Sequence, residues 1–564
     1  MHFSSHIAFS LAFSVFRTLV LSTVTKMAER KLPIGVQNFE DLRQNEYLYV
    51  DKTKYIVQLL RGKVYFLSRP RRFGKSLFLS TLAAYFRGQR ELFKGLYLEK
   101  AEEELAKQEG REAWQEHPVL SIDLSSDNNK IPQTLEKNLN TQLIAWEKLY
   151  GKEADEDTLA LRFRGVIRRA YEQTQQQVVI LVDEYDKPLL DTLQLPELHK
   201  ELKDILHGFY SVIKGSSHYL RFVFFTGVTR FAKVGIFSGL NNLNDISMDA
   251  AMAGLCGITD QELVDNFSPE IDALADAQKL TREETLRTLK KKYDGYYFSE
   301  ECNVSVYNPF SLLNTFYKNR FSDYWFATGT PTFLVEELKS KHFYFPDLDD
   351  NILVRKQWLE NYSTDSQDIV PVLLQAGYLS IKEYIPQRGV YRLGFPNDEV
   401  RYSFLANLLP IFAPITDSDT GDAVWDFQQA IETGAVEQVM EKMVALLAGV
   451  PYGSIDDARY YERDAQVAFY FVFKLLGQFV QTEVHNHKGR ADIIVHTPEV
   501  IYIFELKLWS AGTPDEAIAQ IKAQGYATPY KESRKKILLV GASFDPEKRN
   551  IGAWKAEEFT PGAK

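Results

Sequence analysis

Cysteine is almost absent: Cys256 and Cys302 are the only two in 564 residues, and neither stands in a CxxC or Cys/His cluster. A disulfide framework or a structural zinc site needs several thiols at short spacing, so neither is expected to organise this chain. Such sparing use fits a reducing compartment, and a cytoplasmic protein is expected. A basic surplus is lacking too. The formal net charge of -10 rules out a surface coated in phosphate-binding lysine and arginine, although a local basic groove can sit on an acidic protein. There is no internal repeat and no low-complexity tract. What is present is ordinary globular material, 45% hydrophobic and 25% charged, which can bury cores along most of the chain. At this length those cores belong to several domains.

One long apolar run occurs, over residues 3–25 (FSSHIAFSLAFSVFRTLVLSTVT), and it has the length of a signal peptide or membrane anchor. No Lys or Arg precedes it, Arg17 interrupts it, and no small-residue cleavage site stands before MAERKLPIG. Translation is therefore expected to start at Met27, with residues 1–26 outside the native chain and a membrane partner not expected. A membrane anchor is the reading that the run alone would support.

From Leu32, short apolar strands alternate with helical stretches: VYFLS at Val64, VLSIDLS at Val119, VVILVDEYD at Val178 and LRFVFFTGV at Leu220. Alternation of this kind predicts a mostly parallel, doubly wound α/β sheet, and a run such as VVILV suits a strand buried on both faces. A helix from Lys75 (KSLFLSTLAAYF) has the apolar spacing of an element packed on that sheet. Residues 27–240 are read as this first domain, 241–345 as a helical subdomain rich in Tyr and Phe, and 346–445 as a winged helix. In the last of these, LLQAGYLSI, a hairpin across PQRG, and VYRLGFPN follow one another. Residues 446–564 form a final α/β domain: a helix ERDAQVAFYFVFKLLGQF, strands VQTEV, ADIIVH and VIYIFELKL, a helix PDEAIAQIKAQGYATPY and a strand KKILLVGASF.

Two constellations carry chemistry. The segment RPRRFGKS, Arg69 to Ser76, keeps the second half of a phosphate-binding loop but has Arg69 where the first glycine normally stands. Its Arg72, Phe73 and Gly74, with Lys75, Ser76 and Leu77 opening the helix, offer backbone N–H groups to phosphate. Lys75 can reach the β and γ phosphates of ATP, and Ser76 can ligate Mg²⁺. A second strand ends in Asp183 and Glu184, where ligands of open α/β sheets bind. Asp183 would hold Mg²⁺ and Glu184 would polarise the attacking water. A third strand ends in FFTGVTRF, which offers Thr226 and Thr229 as γ-phosphate sensors, while Arg71, Arg72 or Arg230 could bring positive charge to the transition state. The ordinary alternatives are an acidic turn after a core strand and arginines in salt bridges.

The other constellation is GRAD, ending at Asp492, followed by Glu505 and Lys507. Residues i and i+2 of a strand share a face, so Glu505 and Lys507 project together while Leu506 turns into the core. If ADIIVH and VIYIFELKL pair across TPEV, Asp492 comes beside Glu505. Two adjacent carboxylates repel unless a divalent cation, Mg²⁺ or Mn²⁺, lies between them. Lys507 could then orient or deprotonate a water for attack on a phosphodiester. Glu462 or Glu483 could add a ligand, Gln520 and Tyr526 could face the site, and the basic run KESRKK could touch phosphate. A surface ion pair in a meander is the plain alternative.

Together LPIGVQNFEDLR, YVDKT, RPRRFGKS, LVDEYDKPL, FTGVTRF, KYDGYYF, VYNPFS and YWFATGTPTFL resemble the AAA-ATPase-like proteins of bacteria whose C-terminal domain belongs to the PD-(D/E)XK nuclease superfamily. The resemblance runs from Lys31 to Trp554. It implies ATP-binding residues at Lys75, Ser76, Asp183 and Glu184, and a nuclease-type site at Asp492, Glu505 and Lys507. An arginine at the first loop position is usual there, and a start close to LPIG agrees with Met27. The expected partners are ATP, DNA or RNA, and a second copy of the chain. The alternative expectation is a nucleotide-dependent regulator whose nuclease fold binds without cleaving.

Overall fold

The structure, a computed structural model, describes residues 30–125, 128–230, 236–237, 240, 242–325, 352–360, 369–412, 427, 429–447, 473, 479–485, 490–508, 512–545 and 550–560. The N-terminal apolar run with Met27, the expected helix ERDAQVAFYFVFKLLGQF apart from Phe473 and its last residue Phe479, which begins a strand, Glu462, Gly489 and the side chain of Glu483 lie outside the described residues. The chain divides into two compact units, Met1–Arg287 with Val304–Phe321, and Thr288–Asn303 with Ser322–Lys564.

In the first unit, strands β1 (Val64–Ser68), β2 (Val119–Asp123), β3 (Val178–Asp183), β4 (Leu220–Gly227) and β5 (Asn244–Asp245) form a parallel sheet in the order β2-β3-β4-β1-β5. The parallel α/β sheet read from the alternating pattern is thus present. Every residue of β1 is buried, as are Val178 to Val182 of β3. Each such aliphatic side chain contributes about 1.5–3 kcal/mol relative to exposure, which is why these runs are central. Helix α1 (Lys75–Phe86) buries nine of its twelve residues, so it is enclosed on most sides rather than amphipathic. Strand β5 lies in NNLNDIS, which has no apolar run; pairing of Tyr65 with Asn244 and Phe66 with Asp245 creates it. Helix α2 (Asp260–Gln278) opens with a Thr259/Glu262 capping box, and helix α3 (Pro309–Lys318) opens on the Asn308 side chain. Because β4 is inserted between β1 and β3, the C-terminal ends of the phosphate-loop strand and the acidic strand flank the end of β4.

In the second unit, β6 (Ile352–Arg355), β7 (Ser380–Ile385) and β8 (Val390–Gly394) form an antiparallel sheet in the order β6-β8-β7. The hairpin turns through PQRG with Gly389 at φ 60°, a left-handed value that favours glycine. Helix α4 (Val370–Ala376) precedes it and helix α5 (Asp398–Phe412) follows. Five of the seven residues of α4 are buried.

Strands β9 (Phe479–His485), β10 (Arg490–His496), β11 (Val500–Leu508), β12 (Lys536–Asp545) and β13 (Asn550–Glu558) form a second five-stranded sheet in chain order. Only the β11–β12 pair is parallel, and helix α6 (Pro514–Gln524) makes that crossover. Ile494, Ile503, Ile521 and Leu539 form an apolar cluster with Tyr526. Among the described residues no helix is long and apolar enough to cross a membrane.

Candidate functional site

The phosphate-loop candidate begins where β1 ends. Gly74 has φ 94° and space around its missing Cβ, so the left-handed backbone is what demands glycine there. It is the N-cap of α1, whose first turn carries Lys75, Ser76 and Leu77. Lys75 is 4% exposed, and its Nζ donates to the carbonyls of Arg69 at 3.0 Å and Pro70 at 3.1 Å. Its ammonium therefore rests inside the loop's own curve, where phosphate oxygens could replace the two carbonyls. Phe73 is buried, and its carbonyl accepts from the Gly257 amide at 3.1 Å. Arg72, another left-handed residue at φ 65°, lays its guanidinium 4.1 Å from the centre of the Phe310 ring on α3.

The acidic strand completes the cradle. Asp183 ends β3, and its Oδ1 accepts from the Thr226 hydroxyl at 2.6 Å and from the Glu184 amide at 3.1 Å. Thr226 pairs with Leu67 of β1, so the sheet itself brings it between the loop and Asp183. Glu184 follows at φ 49°, a left-handed value costly for a side-chain-bearing residue and common where geometry serves function. Burial pushes its carboxyl above the usual range; Lys75 pulls it back, while Asp186 and Asp183 push it further.

Two of the weighed residues are engaged elsewhere. Thr229 is 1% exposed, and its hydroxyl and amide both donate to Asp186, so it braces the strand ends. Arg230 forms an ion pair with Asp245 at 2.8 Å. Asp186, which the sequence reading passed over, accepts from the amides of Val228 and Thr229 and holds the end of β4 against β3. Its place in LVDEYDKPL was the available signal.

In the second unit, β10 and β11 pair as the spacing requires, with Ile493 opposite Phe504; the next step of that register sets Asp492 opposite Glu505. The Leu506 amide donates to Asp492 Oδ2 at 2.7 Å, and Leu506 is buried. Glu505 is 2% exposed. Lys507 Nζ donates to Glu505 Oε1 at 3.1 Å and to Gln520 Oε1 at 2.6 Å, and the Gln520 amide donates to the same Glu505 oxygen. Gln520 thus ties carboxylate and ammonium together from α6. That helix lies close because Gly541, opposite Glu505 on β12, leaves room: a Cβ there would meet the Pro514 carbonyl at 2.3 Å. Tyr526 sits in the apolar cluster with Ile494 and Ile503. KESRKK lies away from this site, because Lys536 pairs with Val500, about 16 Å along the strand from Glu505 at ~3.3 Å per residue.

Among the described residues no group of three or more His, Cys, Asp and Glu side chains is placed to hold a metal. The two-carboxylate donor set of Asp492 and Glu505 still suits Mg²⁺, which binds through one or two carboxylates and keeps several waters. The open left-handed Gly74, the helix N-terminus and the buried Lys75 likewise suit a polyphosphate.

A family model described as "Predicted AAA-ATPase" matches residues 33–237, and one described as "PD-(D/E)XK nuclease superfamily" matches residues 460–554. The chain is 37% identical over 541 residues to "Uncharacterized protein in vnfD 5'region" of Azotobacter chroococcum mcd 1, an alignment covering 94% of this chain and 100% of that protein. The chain belongs to the family of AAA-ATPase-like proteins that carry a C-terminal PD-(D/E)XK nuclease superfamily domain.

Proposed function

We propose that this protein binds and hydrolyses ATP in its first unit and uses the nucleotide state to control a metal-dependent nuclease in its second. One observation carries the reading: each unit gathers a lysine with carboxylates, Lys75 at the start of α1 with Asp183 and Glu184 at the end of β3, and Lys507 and Glu505 near the end of β11 with Asp492 near the start of the neighbouring β10.

In the first site Lys75 and the amides opening α1 bind phosphate, Ser76 and Asp183 hold Mg²⁺, and Thr226 orients Asp183 through its hydroxyl. Glu184 takes the proton from the attacking water. A base must be ionised to act, so ATP turnover falls as pH drops through the raised Glu184 value, and the acid limb of the kcat/KM profile, which reports the free enzyme, lies above the ordinary carboxylate range. Glu184→Gln lowers kcat by about 10²- to 10⁴-fold, the usual weight of a positioned base, and leaves a residual rate flat across that limb. An unchanged limb in the variant assigns it to another group.

In the second site Asp492 and Glu505 hold Mg²⁺ or Mn²⁺, which when bound neutralises phosphate charge and lowers the pKa of water. Lys507 orients that water, and Gln520 fixes its distance from Glu505. Region 346–445 we read as a winged helix that relays nucleotide state or grips nucleic acid. The test is cleavage of linear DNA and RNA by the full chain with Mg²⁺ or Mn²⁺. Loss of cleavage on chelation and its return on adding metal back is expected. Cleavage indifferent to chelator overturns the metal dependence, and no cleavage with either metal leaves a nuclease fold that binds without cutting. Gly541→Val, which drives the start of α6 off the sheet, is expected to lower cleavage about tenfold or more by displacing Gln520, as small misplacements do at such sites. ATP turnover, measured alongside, is expected to stay at the wild-type rate.

A further inference from the structure

A phosphate loop ordinarily begins with glycine because the backbone must turn tightly. Here the position holds Arg69, whose side chain is 1% exposed. Burying a guanidinium is costly unless its donors are engaged. Arg69 Nη1 donates to the carbonyls of Ser68 at 2.8 Å and Ser247 at 2.7 Å, and Nη2 to that of Met252 at 3.1 Å. Its side chain is thus turned inward onto backbone. Its own carbonyl is one of the two that hold the Lys75 ammonium.

Ser247 is the junction of a continuous set of bonds. Its hydroxyl accepts from the Ser68 amide at 2.9 Å, and its amide donates to Asp245 Oδ1 at 3.0 Å. Asp245, on β5 beside Phe66, accepts through Oδ2 from Arg230 Nε at 3.1 Å and Nη2 at 2.8 Å. Arg230 follows β4, the strand whose Thr226 hydroxyl orients Asp183. The turn from Asp245 to Ser247 therefore joins the start of the phosphate loop to the end of the strand that reaches the acidic site.

We propose that Arg69 is a positioning residue that fixes the phosphate loop, and with it Lys75, on the Asp245–Ser247 turn, and that Arg230 serves the same turn through Asp245 rather than contacting phosphate. This rests on the nucleotide reading of the loop. The arginine replaces the flexibility of glycine with an anchor, so the loop is set before nucleotide arrives.

The test is calorimetric titration of ATP into the full chain: wild type, Arg69→Gly, Asp245→Ala, Arg230→Ala and the Arg69→Gly/Asp245→Ala double variant, each melted without nucleotide for comparison. Arg69→Gly restores the residue that ordinary loops carry, so a passive arginine predicts undiminished affinity. The proposal expects Arg69→Gly and Asp245→Ala each to weaken ATP about tenfold or more, the double variant to lose less than the product, and Arg230→Ala to match Asp245→Ala. A contact that serves folding alone lowers the melting temperature and leaves ATP affinity unchanged, which overturns the proposal. It is also overturned if Arg230→Ala impairs ATP binding while Asp245→Ala does not, the signature of a phosphate contact. Should Arg69→Gly fail to fold, the match or mismatch between Arg230→Ala and Asp245→Ala decides. Absence of ATP binding by the wild type overturns the nucleotide site itself.

Discussion

Lys75→Ala is expected to lower ATP affinity about 100-fold or more and to remove ATP turnover, the weight of losing two charge-assisted hydrogen bonds of about 1.5–3 kcal/mol each. Lys75 is placed for this effect. It is nearly buried, its Nζ is held by the Arg69 and Pro70 carbonyls, and Gly74 directs it into the loop through a backbone conformation that residues with side chains rarely adopt. Alanine removes the point charge and leaves those carbonyls turned into a space where phosphate would meet like partial charges. Titration calorimetry and a phosphate-release assay check both parts. ATP turnover at the wild-type rate in Lys75→Ala would contradict the assignment of this loop as the phosphate site.

Asp492→Asn is expected to lower nucleic-acid cleavage by about 10³-fold, the scale of removing a preorganised charge from a phosphoryl-transfer site. The amide is a sharper probe than alanine. Asp492 also accepts the Leu506 amide at 2.7 Å, and asparagine keeps an oxygen for that bond while losing the negative charge. Fold and hairpin register are therefore retained and only the cation's ligand is weakened. The variant is expected to melt within a few degrees of wild type, ATP turnover is expected to be retained, and Mn²⁺ binding followed by calorimetry is expected to weaken in parallel with cleavage. Full cleavage by Asp492→Asn would remove this residue from the site.

The fold was legible where burial is one-sided in its demands. VYFLS and VVILV could only be interior strands, and the i, i+2 relation put Glu505 and Lys507 on one face before their pairing was known. What escaped were elements made by partners rather than by their own residues. Strand β5 is two residues of a polar stretch that exists because β1 offers it an edge, and β13 (NIGAWKAEE) lacks a clean alternation. At the sites, Lys75, Asp183, Thr226, Asp492, Glu505 and Lys507 were readable because local motif and strand position decide where such residues go. Thr229 and Arg230 were weighed as phosphate contacts because sequence shows their proximity to the strand end but not their partners Asp186 and Asp245. Arg69 illustrates the same limit. As a letter it breaks the loop pattern, and only its three carbonyl partners explain how the loop tolerates it.

Communication between the two sites is the central claim, and one measurement addresses it: the rate at which the full chain cleaves linear DNA or RNA with Mg²⁺, with and without ATP, in wild type and Lys75→Ala. ATP is expected to raise cleavage by the wild type and to leave Lys75→Ala at the nucleotide-free rate. Cleavage that ATP does not change in the wild type, with Lys75→Ala cutting equally fast, would contradict it.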